Sequence, residues 1–303
     1  MLAALNLPSI IGIDVPFFNV GELKSWGWEF DIKWKDKIND FRYSVGFNLS
    51  DNQNELVRFD GRNIINEGVV DLLEGYPMNT VWGYKTDGYF QTKEEYDAYK
   101  AQVNTPFFPN NAGAGDVKYL DVNGDGVISA GEGTPNSPGD LVNYGTSNGR
   151  YFYGFNMGFQ YKGFDFSAML QGVAKRVFVI STETLSPMLG TADLPWTIHM
   201  DRWSPENPDA TFPRMYQTSS HNYRPSDKWI QNGAYLRLKN VQLGYTLPLK
   251  TQAIRKLRVF FSGQDLWETT KVMEVFDPEV PNNVGATTYP FFRTVSFGLN
   301  LTL

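Results

Sequence analysis

Four stretches of this chain alternate apolar and polar residues with a period of two, and that regularity limits the folds open to it. In YFYGFNMGFQY, Tyr151, Tyr153, Phe155, Met157, Phe159 and Tyr161 share one face, with only Phe152 out of pattern on the other. The closing TVSFGLNLTL puts Val295, Phe297, Leu299, Leu301 and Leu303 on one side. WGWEFDIKW aligns Trp28, Phe30, Ile32 and Trp34, and FRYSVGFNLS aligns Phe41, Tyr43, Val45, Phe47 and Leu49. Side chains of a strand point alternately to opposite faces, so each stretch predicts a strand with one dry and one wet side. Every dry-face position is apolar although 20% of the chain is charged. A lipid-facing strand requires that discipline, because a Lys or Arg at the bilayer midplane costs roughly 2–4 kcal/mol.

The connections carry the second signal. Strands are predicted at about 26–36, 41–50, 150–162, 164–178, 234–247, 257–268 and 291–303. The segments KDKIND, KG and PLKTQAIRK between them are short, whereas 51–149, 179–233 and 269–290 are long, and the two kinds alternate. An antiparallel meander then has its tight turns at one end and its large loops at the other, the sidedness of transmembrane barrels with short periplasmic turns and long extracellular loops. The predicted fold class is therefore all-β, an antiparallel transmembrane β-barrel meander. Seven is odd and an open sheet leaves edges in lipid, so the chain reads as part of a larger barrel. A soluble, secreted, calcium-stabilised β-sandwich that binds carbohydrate remains the alternative, since two dry faces can also meet in a core.

Composition narrows the classes further. No apolar run approaches the roughly 18–20 residues of a membrane helix, and mean hydropathy is −0.35. Cysteine is absent, which removes disulfides, thiol nucleophiles and zinc–thiolate sites. A net charge of −6 without a basic, aromatic-interleaved patch argues against a nucleic-acid partner. The opening MLAALNLPSIIG lacks the basic start of a signal peptide, so an exported protein of this kind is expected to have more sequence before it. His199 and His221 are the only histidines, with no metal-spaced partner or nucleophile motif, and the chain is not read as an enzyme.

Several segments resemble one family. WSPENPDATFPR (203–214), YLRLKNVQLGYTLP (235–248), RVFFSGQDLW (258–267), FDPEV (276–280) and YPFFRTVSFGLNLTL (289–303) are similar to the SusC/RagA branch of TonB-dependent outer-membrane transporters. NVGELKSWGWEFDIKW (19–34) resembles that family's strand opening, and GDVKYLDVNGDGVIS (115–129) its acidic loop motif. The resemblance implies about seven C-terminal strands of a 22-stranded barrel. The plug, the TonB-contacting segment and the other strands would then lie outside this sequence. It further implies outer-membrane import of oligosaccharides or peptides, driven by the TonB complex and capped by a SusD-like surface lipoprotein.

Candidate sites lie in the loops. DVNGDGVISAGE places Asp121, Asn123, Asp125, Val127, Ser129 and Glu132 at positions 1, 3, 5, 7, 9 and 12 of a calcium loop, with Gly126 at the sharp turn. No helices flank it, so the expectation is a single calcium site that orders the 51–149 extracellular loop. KEEYDAYKAQV (93–103) predicts a short surface helix capped by Thr92. Trp196, Trp203 and Trp229 are candidate sugar-stacking platforms, weighed against simple packing of the 179–233 loop. Strand parity points Glu29, Asp31, Lys33, Arg42, Asp165, Gln171, Arg258 and Gln264 toward the lumen.

Overall fold

The computed structural model describes residues 2–4, 17–190, 193–249, 254–280 and 291–303. Residues 5–16 near the start, 250–253 in the turn at 248–256 and 281–290 at the tip of the third long loop lie outside the described residues. Seven long strands form one sheet: β1 (Gly21–Ile38), β2 (Phe41–Phe59), β3 (Arg150–Tyr161), β4 (Phe164–Lys175), β5 (Tyr235–Leu247), β6 (Lys256–Thr270) and β7 (Thr294–Thr302). Each pairs antiparallel with its neighbour in sequence, giving a pure meander. All seven predicted strands are present, and the sheet is open, not closed into a barrel.

Register aligns the dry faces into continuous rows. Trp34 pairs with Val45, then Met157, Ala168, Val241, Gly263 and Val295 follow across the sheet. One row away run Tyr43, Phe159, Phe166, Leu243, Phe261 and Phe297. On the other face Ser44, Gly158, Ser167, Gln242, Ser262 and Ser296 form the matching polar row. Among the described residues no second sheet covers the apolar side: Trp34 is 61% exposed, Phe297 81% and Leu299 70%. A sandwich core would bury these rings, so the sandwich alternative has no second layer to rest on.

The first two strands run further than their side-chain pattern predicts. Past Leu49 the β2 sequence turns polar (SDNQNE), yet backbone pairing continues to Gly21↔Phe59. Ladder hydrogen bonds need no apolar side chains, so the hairpin projects as a two-stranded ribbon well beyond the roughly 9–11 residues that a bilayer requires. The fourth strand ends earlier than predicted, at Lys175; Val177–Val179 departs to pair with Ile230–Asn232.

The long connections are folded. The first contains a three-stranded sheet (Gly68–Val70, Thr80–Gly83, Val142–Thr146), the paired strands Thr86–Tyr89 and Val117–Tyr119, and helix α1 (Lys93–Lys100). Thr92 caps that helix as predicted: its hydroxyl accepts from Glu95 N at 3.1 Å, while the Glu95 carboxylate accepts from Gln91 N at 2.7 Å. The helix stops three residues before the predicted end, at Lys100.

Candidate functional site

The three long loops gather at the open end of the sheet into one packed body. Trp203 of the second loop lies in the first loop's core with Ile65, Leu73, Trp82, Tyr84 and Tyr119. A second core joins Phe178, Phe212, Tyr223 and Trp229 of the second loop to Val272 and Val280 of the third. Burial is nonetheless incomplete without polar closure, since loop backbone must find partners.

Asp116 supplies that closure between the first two loops. Its carboxylate is fully buried and accepts from Gly113 N (2.7 Å), Asn222 Nδ2 (2.9 Å), Tyr216 OH (2.8 Å) and Arg214 Nη2 (3.3 Å). His221 Nε2 lies 3.2 Å from the same group, and Asn222 Oδ1 accepts from Val117 N at 2.9 Å. A buried carboxylate is tolerable only when paired and saturated with donors, which is what these residues provide. Beside it, Tyr84 N donates to Pro225 O (2.9 Å) and the Thr86 hydroxyl to Asp227 (2.6 Å), so backbone pairing also crosses the loops.

A second polar node fixes the third loop. Arg237, on the inner face near the top of β5, is 1% exposed and meets Glu268 of β6, Asp277 (2.6 Å) and Glu279 (2.9 Å). Lys239 reaches Glu279 and Asp265, each at 2.9 Å. Lys239 sits where the β5–β6 register slips, and Asp265 opposite adopts a φ of 51°. Arg176 donates to the carbonyls of Pro278 (2.6 Å) and Val280 (2.7 Å). The FDPEV segment is thereby clamped against the strands.

Sequence-level candidates fare differently. Trp203 and Trp229 are 9% and 1% exposed, and their indole N–H groups are spent on Gln91 and on the Asn222 carbonyl. Neither ring offers a face to a passing sugar. Trp196 is 42% exposed. It precedes a 3₁₀ turn (Thr197–Met200) held from below by buried His199, whose Nδ1 accepts from Trp196 N (2.9 Å) and whose Nε2 donates to Leu185 O (3.0 Å). Burial lowers the His199 pKa, keeping the ring neutral.

In the acidic loop, Asp121 accepts from Gly124 N (2.6 Å) and Gly126 N (2.8 Å), and Asn123 donates to Asp125 at 2.9 Å. Gly126 takes a φ of 81°, the left-handed turn its position demands. Glu132 is exposed, and among the described residues no three acidic or histidine side chains converge on one point. The Asp121 carboxylate is thus occupied by the backbone N–H groups of its own turn, and the closing carboxylate, Glu132, points away from them into solvent-exposed surroundings. The loop is instead spanned by Asp140, which accepts from Val122 N (2.7 Å), Asn123 N (3.4 Å) and Ser129 N (2.8 Å). Asp116, Asp140 and Arg237 were not singled out from sequence. Asp116 and Arg237 lie inside family-like motifs and Asp140 in the stretch after one, but only the fold reveals which groups each of them meets.

On the inner wall, Arg258 crosses β5 to reach Asp165, with Nε to Oδ2 at 2.8 Å and Nη2 to Gln242 Oε1 at 2.9 Å. It passes over Gly244, where a Cβ would fall 2.5 Å from Arg258 Nε.

No family model matches the chain. TonB-dependent receptor P26 of Formosa agariphila is 28% identical over 332 residues, covering 100% of this chain. TonB-dependent receptor SusC of Bacteroides thetaiotaomicron is 24% identical across 93% of it. The chain is thus similar over nearly its whole length to TonB-dependent receptors, SusC among them. It spans 31% of the first relative's length and 27% of the second's. Among solved structures, the RagAB peptide importer in its open-open state superposes with a TM-score of 0.71 at 20% identity, over 100% of this chain and 31% of that one. The fold is thus that of a TonB-dependent receptor's β-sheet wall, and the chain belongs in the outer membrane. These relatives are named as receptors and importers, not as enzymes.

Proposed function

We propose that this SusC/RagA-type chain forms part of the wall and mouth of an outer-membrane importer for large nutrients, oligosaccharides or peptides. The reading rests on one observation: a seven-strand meander with an apolar outer face, a polar inner face, and all of its folded loop mass at one end. In this reading 1–303 is a partial receptor barrel, and the 51–149 segment is its largest extracellular loop. The TonB complex supplies energy through parts of the receptor outside this sequence, and a SusD-like surface lipoprotein closes the mouth. The similar RagAB peptide importer, known in an open-open and a closed-closed state, supports a mouth that opens and closes. The 121–132 loop would take calcium through Asp121, Asn123, Asp125 and the Val127 carbonyl, with Ser129 and Glu132 drawn in, to order the first loop.

The test is to express the full-length receptor in a bacterial outer membrane. The expected product is a heat-modifiable barrel whose residues 60–149 and 176–234 are cut by protease added to intact cells. Recovery of the chain in the soluble periplasmic fraction would overturn the reading.

A further inference from the structure

The inner wall carries an uncompensated cationic lane at the short-turn end of β1 and β2. Lys33, Lys35 and Lys37 share the polar face, spaced two residues apart, about 6.6 Å per step at strand geometry. Arg42 pairs directly opposite Lys37, and Ser44 opposite Lys35. Like charges directly across a strand pair are destabilising, so this register costs energy unless an anion lies between them. Lys33 is neutralised by Asp31 at 3.2 Å, and Arg258 further along by Asp165. Among the described residues, Lys35, Lys37 and Arg42 meet no carboxylate within ion-pair distance. The three line a concavity of about 620 Å³ together with Ser44, Gln160 and Ser167, which add neutral donors; its two carboxylates are engaged elsewhere, Asp165 by Arg258 and Asp36 by the Lys37 backbone N–H (2.7 Å). Concentrating cations here runs against the chain's net charge of −6.

We propose that this lane binds the oxyanions of an acidic passenger, a carboxylate- or sulfate-bearing oligomer, as it moves along the wall. The proposal rests on the importer reading and narrows its substrate class. Lys35 and Lys37 offer point charges along the strand, and Arg42 offers a planar fork suited to one carboxylate or sulfate group. A neutral oligomer finds nothing at this level that hydroxyl and amide groups elsewhere on the wall do not supply.

The experiment uses the purified full-length receptor in detergent, with hexaglutamate and hexaglutamine peptides as probes. Binding is measured at low and high salt. We expect hexaglutamate to bind at least about tenfold tighter than hexaglutamine at low salt, with the difference shrinking as salt screens the lane. The double variant K37Q/R42Q should lose that difference while still running as a heat-modifiable barrel. Equal binding of the two peptides, or hexaglutamate binding unchanged by K37Q/R42Q, overturns the proposal. A third outcome also overturns it: K37Q/R42Q opens a constant conductance in planar bilayers without ligand, which assigns the lane to carboxylates of the receptor itself. Failure of the importer reading shows up separately, as a wild-type receptor that forms no heat-modifiable barrel.

Discussion

At the scale of single residues, buried charge decides more than buried oil. Asp116 holds four hydrogen-bond donors from three segments, and replacing it leaves those donors facing a void. Asp116→Ala should destabilise the loop body by about 3–5 kcal/mol, the usual cost of breaking a buried charged network. The readout is limited proteolysis, with new cuts in both 60–149 and 176–234 while the heat-modifiable barrel persists. Asp140 allows a sharper contrast. Calcium binding at 121–132 predicts that EDTA exposes cleavage at residues 115–135 and that added calcium restores protection. Closure by Asp140 alone predicts EDTA-resistant protection that D140N removes. Gly244→Ala would push the Arg258 guanidinium off Asp165. Since Arg258 is flexible, the expected loss is small, about 1–2 kcal/mol for a weakened charged hydrogen bond, read as a lower heat-modification temperature.

At the scale of elements, the strands were legible because two solvents imprint period-two alternation, while their extensions were not. Trp28 to Trp34 and Phe41 to Leu49 announce β1 and β2, but the polar continuation of β2 through Asp51 and Glu55 carries no such mark. Its pairing is dictated by the backbone ladder alone. The loops were least legible: the sequence favours packing over a platform role for Trp203 and Trp229, but it carries no mark of the neighbours from other loops that bury them. His199 illustrates an element-level consequence. Its folded pKa is depressed from 6.5 by burial, so below about pH 6.5 the unfolded ring takes a proton that the folded ring refuses. Stability of the 197–200 turn should therefore fall with acidification, visible as a red shift of Trp196 fluorescence that H199N abolishes. Lys228 obeys the same sign. Burial lowers its pKa to about 8 between the rings of Tyr89 and Trp229, so the loop body gains stability as pH rises from about 8 toward 10.5. Lys228→Met should flatten that part of the profile in thermal melts.

For the whole molecule, the outer face is the property on which assembly depends. Val45 and Ser44 are adjacent in sequence and opposite in environment. In the full-length receptor Val45→Arg should cost roughly 2–4 kcal/mol and deplete the folded band, whereas Ser44→Arg, which faces Lys35 across the pair, costs at most about 1 kcal/mol and leaves most of the band. Equal effects of the two substitutions would place both residues in one medium and undo the assignment of faces. This sidedness is what the alternation in the sequence foretold most directly. What it left unspoken is how the loops combine, because that depends on contacts more than a hundred residues apart, such as Val117 with Asn222.

Those distant contacts constrain how the mouth can move. The segment between β2 and β3 and the segment between β4 and β5 are riveted to each other by Asp116, and the segment after β6 is fastened to the latter by Arg176. Six consecutive strands, β2 to β7, are therefore joined through one packed canopy. Any gating swing on this side must tilt that canopy as one slab, hinging at its strand roots, instead of letting individual flaps peel away.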